Sequence, residues 1–97
     1  MASVSLADND RPCRTAGLLE CEVLDETLVY LDATGQAVAL NTSAREIWRL
    51  CGGERSIVDI GEELGRRFGV PGRALLPDIR RAVTRMRALG LLEPPED

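Results

Sequence analysis

A chain of 97 residues with 44% hydrophobic content has room for one small domain built on a single core. Its formal net charge of −4 and its lack of Lys count against a nucleic-acid binder held by phosphate contacts, and the lack of His removes the usual Ser-His and Cys-His catalytic pairs. No run of about 18 apolar residues is present to span a bilayer, and Met1 to Arg11 lacks the basic-then-apolar pattern of a secretion signal, so the expectation is a cytoplasmic protein with no membrane association.

Met1 to Arg14 mixes Ser, Asp, Asn and Pro with isolated apolar residues and shows no period, so residues 1–17 are expected to form a flexible N-terminal arm. Leu19, Cys21 and Val23 then alternate with Glu20 and Glu22, the pattern of a half-buried strand with its glutamates exposed. Asp25-Glu26 interrupts with two polar residues, and Thr27-Leu28-Val29-Tyr30-Leu31 is rich in strand formers. Asp32-Ala33-Thr34-Gly35 is a turn, after which Gln36 to Leu40 returns as a third strand, completing an antiparallel meander.

At Asn41 the apolar period changes from two to 3.6. Ala44, Ile47, Trp48 and Cys51 share one helix face, with Asn41 or a Ser43-Glu46 box as its cap and Gly52-Gly53 as its stop. Ser56 with Asp59 resembles a second helix start, and Ile57, Ile60, Gly61, Leu64 and Phe68 form that helix's expected buried stripe, ended by Gly69. Pro77 suits the first turn of a third helix beginning near Leu76 after a looser turn from Arg73; Ile79, Val83 and Met86 mark its core side and Gly90 its end. Leu91-Leu92 can fold back on the core before a tail at residues 94–97. The order predicts an α+β fold: a three-stranded antiparallel sheet followed by a three-helix bundle, winged helix-turn-helix-like.

Catalytic signatures are missing from this pattern. Cys13, Cys21 and Cys51 are widely spaced, with no CxxC pair and no His to complete a metal site, and Gly52-Gly53 lacks the Lys of a phosphate loop; no metal and no cofactor are expected. Glu62-Glu63 and Glu20/Glu22 read as solvated pairs. Binding requires less. If the meander keeps its order, Gln36, Ala37, Val38, Ala39 and Leu40 form an edge strand without the Lys, Pro or bulge that usually blocks one. On the third helix, Asp78, Ala82, Arg85 and Leu89 form one row with Arg81 beside it, an apolar floor bordered by cations that suits a peptide carrying an apolar anchor and acids. A small winged-helix DNA-binding regulator is the alternative that three helices with a basic third helix raise. A structural subunit whose exposed strand pairs with a fixed partner chain is a third reading.

Gly35, Leu40-Asn41, Ala44, Ile47-Trp48, Gly52, Ser56-Ile57, Ile60 and Leu89-Gly90-Leu91-Leu92 together form a pattern over about residues 18–93. It resembles the family of the pyrroloquinoline quinone biosynthesis protein PqqD, also called the RiPP recognition element. The resemblance implies a stand-alone peptide chaperone in which residues 18–93 are the peptide-binding domain. It further implies that the leader of a ribosomally made precursor adds as a strand to Gln36–Leu40, in a groove walled by the third helix within Asp78 to Leu89. The implied partners are that precursor and a modifying enzyme, often a radical S-adenosylmethionine enzyme or a leader peptidase.

Overall fold

The computed structural model describes residues 9–95. Strands β1 (Leu19–Val23) and β2 (Glu26–Leu31) are joined by a two-residue turn at Leu24-Asp25, in register Leu19↔Tyr30 to Val23↔Glu26. Strand β3 (Gln36–Leu40) follows the turn at residues 32–35 and pairs antiparallel with β2, from Leu31↔Gln36 to Thr27↔Leu40. The sheet order is β1-β2-β3, so β1 and β3 are both edges, as the meander predicts. Thr27, Val29, Leu31 and Leu40 lie on the side that the helices cover, and all four are buried.

Helix α1 (Thr42–Leu50) starts where Asn41 Oδ1 accepts from the Ala44 N–H at 2.8 Å, so Asn41 and not the Ser43-Glu46 alternative is the cap. Ile47, Trp48 and Cys51 turn inward, and the Trp48 indole N–H donates to the Leu91 carbonyl at 3.1 Å. A buried indole needs such an acceptor, because an unmade hydrogen bond there would cost its full desolvation. Helix α2 (Ile57–Phe68) opens with the reciprocal Ser56–Asp59 capping box and closes on Gly69 in the left-handed conformation. A 3-10 turn (Gly72–Leu75) leads into helix α3 (Leu76–Leu89), with Pro77 in its first turn and Gly90 left-handed at its end. Helix α3 packs on α1, α2 and the 3-10 turn, while α1 packs on β2 and β3.

The 3-10 turn can lie against α2 because glycines face it. A Cβ on Gly65 would stand 2.6 Å from the Val70 carbonyl oxygen and 2.9 Å from the Gly72 nitrogen, and one on Gly61 would meet Leu76 Cδ2 at 2.9 Å. Gly65, which the expected stripe leaves out, is therefore buried, and Phe68, assigned to that stripe, is 58% exposed at the helix end.

Two further expectations are corrected. Residues 10–15 are not an unattached arm but a strap laced to both halves of the helical layer. Its backbone bonds run from Ile57 N–H to the Asp10 carbonyl, Gly53 N–H to Pro12, Arg14 N–H to Cys51 and Thr15 N–H to Leu91, all between 2.9 and 3.1 Å. Arg14 also donates to the Trp48 and Arg49 carbonyls and lies 5.7 Å from the indole centroid, while Arg87 makes a two-pronged ion pair with Asp10. The first eight residues of the expected arm, and residues 96–97 of the tail, lie outside the described residues. The second correction is the face of β1. Glu20 and Glu22 are on the helix side, opposite Val29 and Thr27, and Leu19, Cys21 and Val23 face outward. The reason lies in α1, which presents Arg45 and Arg49 to this edge of the sheet. Arg49 pairs with Glu20 and Glu22, and Arg45 with Glu22 at 3.6 Å. An ionic seam replaces an apolar one there.

Candidate functional site: an open strand edge beside a basic helix

The tight Leu24-Asp25 turn sets the hydrogen-bonding phase of the whole sheet. In a two-residue hairpin the flanking residues, here Val23 and Glu26, form a hydrogen-bonded pair, and such pairs alternate along an antiparallel ladder. Glu26, Leu28 and Tyr30 therefore direct their backbone groups to β1, and Thr27, Val29 and Leu31 direct theirs to β3. Their partners Leu40, Val38 and Gln36 are thereby committed to β2. The N–H and C=O groups of Ala37 and Ala39 point instead to the far side of β3, where no strand pairs with them among the described residues. Two donors and two acceptors thus stand on an open edge, and both residues are exposed with side chains too small to block approach.

The expected site residues fall into three groups. Ala37 and Ala39 supply the edge, Val38 is half-buried on the helix side, and Leu40, 5% exposed, belongs to the core. Ala82 and Leu89 of α3 are half-buried against the same core as Val38. Arg81, Ala82 and Arg85 border one shallow hollow with Arg80, Thr84 and Ala88. Gln36 and Leu89 border a separate cleft at the end of the sheet, closed by residues 15–18, which lead from the strap into β1, and by residues 31–34. The structure therefore gathers Arg81, Ala82 and Arg85, and sets Gln36 and Leu89 apart from them.

The charges of α3 differ in their freedom. Arg81 is paired along the helix with Asp78, and Arg87 is turned inward to Asp10, whose carboxylate raises its pKa; Arg85 is exposed, with no ion-pair partner among the described residues. That leaves Arg85 open to an incoming carboxylate and reduces the basic stripe expected from composition. Elsewhere the ionic contacts are structural. Arg66 and Arg67 hold the Glu63 carboxyl below its ordinary range, and Arg67 reaches Glu46 of α1 at 2.7 Å. Burial pushes the Cys51 thiol up to about 12, leaving it neutral and unreactive at physiological pH. No cluster of metal-ligating side chains occurs among the described residues.

A three-stranded antiparallel sheet followed by three helices, with one strand edge open, defines a small α+β domain. The profile of the coenzyme PQQ synthesis protein D (PqqD) family matches residues 26–92, and the chain belongs to that family. Among solved structures, "TbiB1 in Complex with the TbiA(beta) Leader Peptide" is similar, with a TM-score of 0.73 at 19% sequence identity, covering 88% of this chain and 99% of that one. No curated protein sequence gives a significant match. No helix among the described residues is long and apolar enough to cross a membrane.

Proposed function

We propose that this protein is a non-catalytic adaptor of the cytoplasm that holds the leader of a ribosomally synthesised precursor peptide as a fourth strand on β3 and presents it to a modifying enzyme. The observation that carries this reading is the open edge at Ala37 and Ala39, which offers a strand-length peptide main-chain hydrogen bonds without specifying its side chains. Family membership and the likeness to a structure solved with a leader peptide support it. Side-chain choice comes from the α3 wall, with Ala82 as apolar floor and Arg85, joined by Arg81 if its pair with Asp78 opens, as carboxylate partners. The preferred leader accordingly carries Asp or Glu near a Leu, Ile, Phe or Tyr. The enzyme it serves belongs to a class such as the radical S-adenosylmethionine enzymes or the leader peptidases.

The test places proline at alternate positions of one strand. Ala39→Pro removes a donor that faces the open edge and leaves the β2–β3 ladder intact, which edge strands tolerate. Each lost main-chain bond is worth about 0.5–1.5 kcal/mol, and the ring also obstructs the incoming strand, so binding of fluorescent synthetic leader peptides from the gene's neighbourhood should weaken by at least about tenfold. Val38→Pro instead removes a bond to β2 and should unfold the sheet, seen by circular dichroism. A folded Ala39→Pro variant that binds leader peptides as well as the parent protein would remove the basis for strand addition on β3. Tight binding of duplex DNA with no leader binding would favour the regulator reading.

A further inference from the structure

Strand addition on β3 uses one edge of the sheet and leaves its outer face, the one turned away from the helices, without a role. That face is apolar. Leu19 is 65% exposed, Val23 45% and Tyr30 40%, with Leu19 directly opposite Tyr30 across the β1–β2 ladder. At the hairpin tip Leu24 is 95% exposed and sits at φ 56, in the left-handed region where Gly, Asn or Asp would be at ease and a bulky apolar residue is strained. Neither the exposure nor the strain contributes to folding, and strain of this kind collects at sites of function.

The border of the face identifies its occupant. Residues 15–44 contain five acids and no Arg or Lys. Glu20 and Glu22 are turned to the helix side and matched by Arg49 and Arg45. The other three stand at the two ends of the central strand β2, Asp25 and Glu26 at one and Asp32 at the other, and form no ion pair among the described residues. A second copy of the chain docking face to face would set acids against acids. A surface with an apolar centre and a border of Arg or Lys would match both features.

We propose that the outer face of the sheet is the docking surface for the modifying enzyme, which meets it with apolar side chains inside a basic border. The proposal rests on the adaptor reading above and gives that adaptor a second, separate contact. Strands of five or six residues at about 3.3 Å per residue and 4.8 Å apart make this face only about 17 by 14 Å, small beside the roughly 800 Å² that each partner gives to a stable interface. A leader strand added to β3 would extend it, because alternate leader side chains would stand on the outer face beside Ala37 and Ala39. The enzyme would then touch adaptor and substrate together, and would bind the loaded adaptor more tightly than the empty one.

The experiment uses the full chain, a labelled synthetic leader, and the recombinant enzyme encoded beside this gene. The double variant Leu19→Ser/Tyr30→Ser should keep leader affinity within about twofold, because it leaves the β3 edge untouched, and should lose enzyme affinity by at least about tenfold, the loss typical of interface anchors. Asp25→Arg/Glu26→Arg, which keeps the apolar centre, should also weaken enzyme binding and reduce its salt dependence. Unchanged enzyme affinity in both variants overturns the proposal, as does failure of the leader-loaded parent protein to bind the enzyme. Sedimentation showing a dimer of the parent protein that Leu19→Ser/Tyr30→Ser abolishes would assign the face to a second copy instead. A parent protein that binds no leader overturns the adaptor reading, a separate outcome read in a separate assay.

Discussion

Trp48 joins three parts of the molecule through one side chain. Its ring is buried in the core, its N–H is held by the Leu91 carbonyl, and its face lies beside Arg14 of the strap. Trp48→Ala should cost about 3–5 kcal/mol, a large part of the roughly 5–15 kcal/mol that stabilises a domain. Urea titration measures the loss, and the single Trp of the chain reports burial directly: a native emission maximum typical of exposed indole would contradict its place in the core. Its role was legible from helical spacing, because Ala44, Ile47, Trp48 and Cys51 can share a face only on a helix. The orientation of Leu19, Cys21 and Val23 was not. Alternation shows that two faces differ but not which one is covered, and at this edge α1 offered arginines, so the glutamates turned inward. The complementary spacing of Glu20/Glu22 with Arg45/Arg49 was the available signal. Arg14 and Asp10 left no trace in any period, since a strap held by irregular backbone bonds has none.

Among the elements, the α2–3-10 junction shows how a stripe can be read at nearly the right place with the wrong occupant. An apolar period marks Phe68 as core, yet the chain turns back at Gly69 and leaves it outside. The closest approach is made where there is no side chain, at Gly65. Gly→Ala in a helix ordinarily gains up to about 1 kcal/mol from backbone entropy. Here the new methyl would meet two backbone atoms that cannot rotate away, and overpacking of this kind costs about 1–3 kcal/mol. Gly65→Ala should therefore destabilise, with a lower urea midpoint and an unchanged slope; a raised midpoint would show that the Val70–Gly72 loop shifts freely. The strands teach a related lesson. Their existence and order were readable from composition and turns, whereas the hydrogen-bonding phase, which decides that Ala37 and Ala39 and not Val38 face the open edge, follows only once the hairpin turn is known to hold two residues.

For the whole molecule, the two contacts proposed for it lie on different parts of one sheet, and their energetics differ in kind. The leader contact relies on main-chain bonds and an apolar floor, with Arg85 adding an exposed charge pair worth about 0–1 kcal/mol. Arg85→Glu should weaken leader binding more than Arg85→Lys, because Arg offers a carboxylate two parallel donors and Lys a single point charge. Calorimetry at low and high salt should show this part fading while the remainder persists. Affinity indifferent to both substitutions and to salt would mark Arg85 as solvated surface and leave leader recognition to main-chain bonds and apolar contacts. The fold that supports both contacts begins and finishes in one place. Glu93 N–H donates to the Cys13 carbonyl at 2.8 Å and Arg14 bridges to Leu92, so the two end segments of the described chain run side by side on the helical layer, away from the sheet's outer face. A domain whose ends meet in this way can be spliced into a loop of a host protein, or joined end to end and reopened elsewhere, without displacing its strands. The same sheet can therefore be carried by a separate protein or by an inserted module of a larger one.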